Sequence, residues 1–239
     1  MFRLITSPQK DPFGQAVWDY FRGNLKAEIT VYSDAALEDV IPTAYLFRTL
    51  SQMPELEQKA LTYCQGKTLD IGAGAGSHSL VLQNMGISVT AIDISPGAVS
   101  LMEARGVKSV RHMDVFSLRE EKYDTHLLMM NGIGLVGDLK GLNTYLEAAR
   151  DWLNPGGQII LDSSDLMYLY EDNDEQLPGD QYYGIIRYQM AYKESLSEPF
   201  DWLYIDAPKL ARHARKYGYQ MEILGEGNHY EYLAKLTVN

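Results

Sequence analysis

The residues with most chemical promise are Leu69-Asp70-Ile71-Gly72-Ala73-Gly74-Ala75-Gly76-Ser77, followed by an acid, Asp93, 21 residues after Gly72. A strand ends there, glycines turn the chain, and a helix begins. Glycine suits such a turn because it tolerates left-handed backbone and lets a ligand approach closely. The helix start then offers free N–H groups and a positive dipole end. A carboxylate at the next strand end can accept both hydroxyls of a ribose, each bond to a charged acceptor contributing about 1.5–3 kcal/mol. Asp93 could instead merely cap the following turn. The loop, the distance and the strand end together favour the ribose role. A dinucleotide loop reads Gly-x-Gly-x-x-Gly. Here the third glycine is Gly76, and Ser77 stands where the last one would be. That speaks against a dinucleotide without eliminating it.

The elements that must hold these residues can be read from periodicity. Lys67–Ile71, Ile87–Asp93, Val107–Asp114, Tyr123–Asn131 and Gln158–Asp162 are short apolar runs and read as strands. Ser77–Met85 reads as a helix stopped by Gly86, and Ser95-Pro96 opens a helix that ends at Gly106. Asp138–Leu153 is a third helix, closed by Asn154-Pro155-Gly156-Gly157. Strand–helix–strand units with apolar strand centres predict an α/β fold with a doubly wound, mostly parallel sheet. Its binding crevice lies at the carboxyl ends of the strands. Residues 1–65 are aromatic-rich, with Phe13, Val17, Trp18, Tyr20 and Phe21 at helical spacing, and are expected to form a helical segment. These aromatics read first as packing, and second as a lid in which Tyr20 or Tyr32 closes on the ligand. Residues 66–239 form the main domain, with a β insertion near 166–206. Strands are expected at Tyr182–Tyr192, Pro199–Ile205, Met221–Leu224 and Tyr230–Thr237, and a helix at Ala207–Tyr217.

Composition narrows the function. The net charge is −11, and the longest charge-biased stretch, Glu171–Asp180, is acidic. Polyanion binding needs clustered Lys and Arg, so nucleic acid is disfavoured as a partner. The single cysteine, Cys64, cannot form an internal disulfide and is expected to pack. No Cys/His spacing suits a metal site. The first residues are too polar for a signal segment, and no run of about 18 apolar residues could span a membrane. A cytoplasmic protein with no membrane partner is the expectation; a homo-oligomer is left open.

Over residues 66–165 the sequence resembles the class I S-adenosylmethionine-dependent methyltransferases. Leu-Asp-Ile-Gly-Ala-Gly-Ala-Gly is similar to their first motif, an acid followed by Gly-x-Gly-x-Gly. The resemblance implies a seven-stranded Rossmann-like sheet with an N-terminal helical lid. It implies S-adenosyl-L-methionine as cofactor and S-adenosyl-L-homocysteine as product. Asp70 would help place the cofactor's amino-acid end. The backbone of Gly72, Ala73, Gly74 and Gly76 would lie under its sugar and methionine portion. Asp93 matches the ribose ligand, and Ile94 would lie against the adenine. In Arg111-His112-Met113-Asp114-Val115, Asp114 fits the residue that bonds the adenine amine, and Val115 the neighbouring N–H. Asn131 ends the fourth strand, where the family often carries a polar residue near the transferred methyl. Leu153-Asn154-Pro155-Gly156-Gly157 looks like the family's turn before the fifth strand. One departure matters. Gly132-Ile133-Gly134 follows Asn131 in place of the Pro-Pro-aromatic cluster of methyltransferases acting on DNA, RNA bases or glutamine.

The resemblance thus points to methyl transfer to a small-molecule acceptor. Alternatives are a protein acceptor, a catalytically silent cofactor-binding subunit and, less favoured, an NAD-linked oxidoreductase. In-line transfer from a sulfonium asks chiefly for positioning, with a base only where the acceptor must lose a proton. Asn131 and His229 are the catalytic candidates. His229 is chosen because it lies in a polar turn between two C-terminal strands. His78, two residues past Gly76, could touch the cofactor's carboxylate end, although a packed or solvent-facing helix residue is the simpler reading. One residue of Asp162-Ser163-Ser164-Asp165, after the fifth strand, is expected to face the acceptor.

Overall fold

In the computed structural model, which describes residues 4–35, 38–171 and 181–238, the chain begins with a helix, not with the sheet. Asp11 caps α1 (Pro12–Phe21) by accepting the Gly14 N–H at 2.9 Å, and Pro12 supplies a preset φ at its first turn. The expectation of a wholly helical N-terminal segment needs correction here. Two strands follow, β1 (Glu28–Ser33) and β2 (Asp39–Pro42). In β1, Ile29 and Val31 are buried, while Glu28 and Tyr32 are exposed. This alternation fits a half-buried strand, but the cue spans too few residues to outweigh the helical pattern before it. Helix α2 (Glu55–Tyr63) completes the segment.

The middle of the chain then runs β3 (Lys67–Ile71), α3 (Ser77–Asn84), β4 (Ser88–Asp93), α4 (Pro96–Arg105), β5 (Val110–His112), β6 (Tyr123–Leu128), α5 (Leu139–Trp152) and β7 (Leu153–Ser164). Short helix α6 (Tyr168–Glu171) follows. After it come β8 (Ile185–Tyr192), β9 (Ser195–Leu196), β10 (Phe200–Leu203), α7 (Ala207–Lys216), β11 (Tyr219–Glu226) and β12 (Glu231–Val238). The acidic stretch expected at Glu171–Asp180 lies almost wholly outside the described residues.

Seven strands form the main sheet in the order β11-β12-β7-β6-β3-β4-β5. The β7-β6-β3-β4-β5 ladders are parallel, and β12 is antiparallel to both its neighbours. The strand order reverses between β3 and β6, which opens a crevice at their carboxyl ends. Alternate strand residues feed opposite faces. Leu127 and Ile160 pack with Ala60 and Leu61 of α2 and Leu82 of α3. Leu128, Ile159 and Leu161 pack with Leu142 and Leu146 of α5 and Leu210 of α7. A second, antiparallel sheet runs β10-β8-β1-β2, with β9 on β8. Its central pairing, Thr30 opposite Ala191, joins the N-terminal segment to the insertion. Ile29, Val31 and Tyr192 form a small core with Ala16 of α1.

His126, inside β6, is fully buried with Nδ1 3.1 Å from the Tyr145 hydroxyl. Burial disfavours its charged form and drives its pKa down to about 4. The unfolded chain protonates this ring near pH 6.5, the folded chain only near 4, so between those values the unfolded state binds more protons. Stability therefore falls as pH drops through that window, by up to roughly 3 kcal/mol from this site. In urea titrations at pH 7 and pH 4.5, His126→Gln should show a smaller acid loss than the wild type. Equal losses would contradict the assignment.

Candidate functional site

The loop after β3 is held from below by one carbonyl. The N–H groups of Gly72 and Ala73 both donate to the Ile92 carbonyl, at 3.0 and 3.1 Å. Gly72 and Gly74 take positive φ (72° and 56°), which a side chain would strain. A Cβ on Gly74 would also stand 3.3 Å from the Phe13 ring, so α1 covers this glycine closely. Gly76 also takes positive φ (79°), but a Cβ there would meet Met102 of α4 at 2.8 Å, so Gly76 serves the turn and helix packing and does not line the cavity.

Asp93, at the end of β4, is buried and ties two segments together. One carboxylate oxygen accepts the Gly74 N–H at 2.9 Å, the other the Ser95 N–H at 2.8 Å. Burial raises its pKa to about 6. Those two N–H groups oppose the rise, and the negative charges of Asp11 and Asp70 add to it. Each oxygen retains a lone pair for a further donor.

A cavity of about 670 Å³ lies over this edge. Gly72, Asp93, Ile94, Asp114 and Val115 line its floor. Asp114 follows β5 and accepts the Phe116 N–H at 3.0 Å through Oδ1; burial raises its pKa. Its other oxygen has no donor among the described residues. Leu135, from the turn after β6, lines the same space. Residues Leu4–Ser7 and Phe13 wall one side, and Met190, Phe200 and Trp202 of the antiparallel sheet form a roof. The Leu4–Ser7 segment is anchored where the Ile5 N–H donates to the Ile94 carbonyl at 3.1 Å.

Asp11 locks this wall in place. Besides capping α1, it accepts the Ser95 hydroxyl at 2.8 Å and the Gly97 N–H at 2.9 Å, both from the start of α4. Gly14 and Gly97 then sit backbone to backbone. A Cβ on Gly14 would lie 2.7 Å from the Gly97 Cα, and one on Gly97 2.5 Å from the Gly14 Cα. This contact sets Phe13 over Gly74. Local spacing gives no sign of it, because the partners are separated by more than eighty residues.

The other end of the crevice, above β3, β6 and β7, is polar. Asp70 is fully buried, accepts the Ser79 hydroxyl at 2.6 Å, and does not reach the cavity. His78 is buried, with Nε2 2.8 Å from Glu57. Burial opposes its charge, but Glu57, Asp70 and Asp162 outweigh that and raise its pKa. Arg48 reaches both Glu57 oxygens with one nitrogen, at 2.8 and 3.0 Å, and lies over the Tyr45 ring at 3.6 Å. Sequence reasoning missed Arg48, Glu57 and Asp11 as site-forming residues, since their roles depend on contacts with His78, Ser95 and Gly97 that no local pattern signals.

Asn131 lies at this end, but its side chain is engaged by protein. Its amide donates to the Leu203 carbonyl at 3.1 Å, and its oxygen accepts the Ser163 hydroxyl at 2.9 Å. His229 is not brought to the site. It is exposed in the β11–β12 turn, where its N–H donates to Glu231, three strands from β3 in the sheet order. Tyr32 is exposed on β1, and Tyr20 packs on Phe47 with ring centroids 4.6 Å apart; neither lines the cavity. Cys64 is buried, and that burial, with Asp70 nearby, pushes its thiol up to about 12, which leaves it unreactive.

The model of a methyltransferase domain family matches residues 68–157, from β3 into the start of β7. The crystal structure of an S-adenosylmethionine-dependent methyltransferase from Bacteroides fragilis, in complex with S-adenosyl-L-homocysteine, is 44% identical to this chain. It superposes with a TM-score of 0.91, covering 99% of this chain and 98% of that one. Two further structures share the fold. A Pyrococcus horikoshii protein is 20% identical, with a TM-score of 0.59 over 77% of this chain and 88% of its own. An S-adenosylmethionine-dependent methyltransferase from Clostridium acetobutylicum is 15% identical, with a TM-score of 0.57 over 79% and 94%. No curated protein matches the chain.

The glycine contact is testable. Alanine inside a helix is ordinarily better than glycine by about 1 kcal/mol. Gly14→Ala should nevertheless lower the thermal midpoint and expose residues before α1 to protease, because α1 must leave α4. A raised midpoint would contradict this docking.

Proposed function

Because the chain belongs to the S-adenosylmethionine-dependent methyltransferases, we propose that it methylates a small-molecule acceptor held beneath the roof formed by α1 and the antiparallel sheet. The observation that carries this reading is the cover that α1 and the antiparallel sheet place over the cofactor cavity at the Asp93 and Asp114 edge. A polypeptide acceptor would need an open groove, and here Phe13, Met190 and Trp202 stand over the cofactor floor. Membership in this family also sets the dinucleotide alternative aside.

In this reading the bound cofactor supplies an activated methyl on sulfur, and the chain supplies position and exclusion of water. Asp93 accepts the ribose hydroxyls with its remaining lone pairs. The backbone of Gly72, Ala73 and Gly74 passes under the sugar. Ile94 and Leu135 flank the adenine, Asp114 accepts from its amine, and the Val115 N–H meets the ring. Asp70 acts indirectly by bonding Ser79 and fixing the turn into α3, at the cofactor's amino-acid end. Gly76 supports the loop from behind. Asn131 is a positioning residue that joins the end of β6 to Ser163 and to Leu203 of β10. His229 does not line the cavity and has no part in this arrangement.

Ionised Asp93 accepts two ribose donors, whereas its protonated form must give up a lone pair. Cofactor affinity should therefore fall as pH drops through about 6. Calorimetry with S-adenosyl-L-homocysteine should show weaker binding at about pH 5 than at about pH 7.5. Asp93→Ala should cost about 3 kcal/mol, or roughly a hundredfold, at the higher pH. Unchanged affinity in the variant would refute the ribose assignment.

A further inference from the structure

The side chain of Asn131 is satisfied by protein, which directs attention to the acid it touches. Asp162 lies near the end of β7, beside β6 (Leu161 opposite Leu128). Its Oδ1 accepts the Asn131 N–H at 2.9 Å. Its Oδ2 has no donor from another residue among the described residues. Asp162 is nonetheless only partly exposed, and burial raises its pKa to about 6, with Glu57 adding to the rise and His78 opposing it. A half-sheltered oxygen that only accepts is open to a donor from a ligand.

The surroundings indicate what kind of donor. Asn131 links Tyr204 to Asp162, because it donates its backbone N–H to Asp162 and its amide to the carbonyl of Leu203, the residue before Tyr204. The Tyr204 hydroxyl is 3.1 Å from that of Tyr188. Tyr168 stacks on Tyr230 with ring centroids 5.0 Å apart. Asp162, Tyr168, Tyr188 and Tyr204 are all partly exposed, so a solute can reach them. The crevice adjoins the cofactor cavity: Tyr204 follows Trp202, which lines that cavity, by two residues, and Asn131 bonds the intervening Leu203. A carboxylate oxygen with tyrosine rings nearby suits a cationic group, through charge and through the ring faces. It repels an anion, and it gives an alcohol only the hydrogen bond.

Building on the cofactor placement given above, we propose that Asp162, with Tyr204 beside it, is the acceptor-binding carboxylate and that the acceptor is an amine. The ammonium form docks on Oδ2. Its proton passes to the Asp162 carboxylate, leaving a neutral amine and a carboxylic acid that returns the proton to solvent. The amine nitrogen then holds a free lone pair at the end of β6 and β7.

Three simple probes that differ in charge stand in for the natural acceptor. Benzylammonium, benzyl alcohol and phenylacetate are titrated calorimetrically into protein saturated with S-adenosyl-L-homocysteine. Benzylammonium should bind at least tenfold more tightly than either other probe. Asp162→Asn keeps an acceptor for the Asn131 N–H, so it should remove that preference and leave S-adenosyl-L-homocysteine affinity unchanged. Tyr204→Leu, which removes the ring face, should weaken benzylammonium several-fold. Equal binding of the three probes, no binding of any, a preference for phenylacetate, or a preference that survives Asp162→Asn would overturn the proposal. Failure of the wild type to take up S-adenosyl-L-homocysteine would instead bring down the cofactor placement on which it rests.

Discussion

A buried carboxylate held by two backbone N–H groups sits at the junction of everything that shapes the site. Asp93 draws Gly74 from the loop and Ser95 from the start of α4 onto one side chain. The loop therefore cannot move without α4, nor α4 without the end of β4. A charge taken out of water is costly unless it is hydrogen-bonded, and these two donors are what make the burial tolerable. The raised pKa shows that compensation is partial, which leaves the carboxylate in want of further donors. A sugar diol would supply them.

A second layer builds on that junction. Ser95, whose N–H goes to Asp93, gives its hydroxyl to Asp11, and Asp11 caps the helix that carries Phe13. Floor and wall thus share one hydrogen-bonded chain running from β4 through α4 to α1. The sheet that carries the roof joins two distant stretches, β1 and β8, whose pairing closes a loop of about 160 residues. Closing so long a loop costs little more entropy than closing one half its length. A cover assembled from both ends of the chain is therefore thermodynamically accessible, and it encloses the cofactor floor from two directions.

Much of this is legible in the sequence, and the reason is locality. The parallel strands carry apolar runs, and the Gly72–Gly76 turn, Asp93 and Asp114 fall at their ends, so strand and loop positions fix those residues together. Gly76 shows where the logic stops. It belongs to the motif, but its missing side chain makes room for Met102, a contact visible only in three dimensions. The strands at 28–33 and 39–42 stay hidden because their partners lie in β8 and in each other, and short alternations are weak signals without a partner. Asn131 does follow β6, yet its side chain is engaged by Ser163 and Leu203. His229 attracts attention because a turn histidine is chemically able, but it is exposed and does not line the cavity. Position along the chain reports an element's end; it does not report what the end faces.

The central claim is where a nucleoside lies, and a crystal of the protein soaked with S-adenosyl-L-homocysteine measures that directly. The prediction is density across the ends of β3, β4 and β5, with both ribose hydroxyls within about 3 Å of the Asp93 oxygens and the adenine amine facing Asp114. Density elsewhere on the molecule, or a ribose turned away from Asp93, would contradict it.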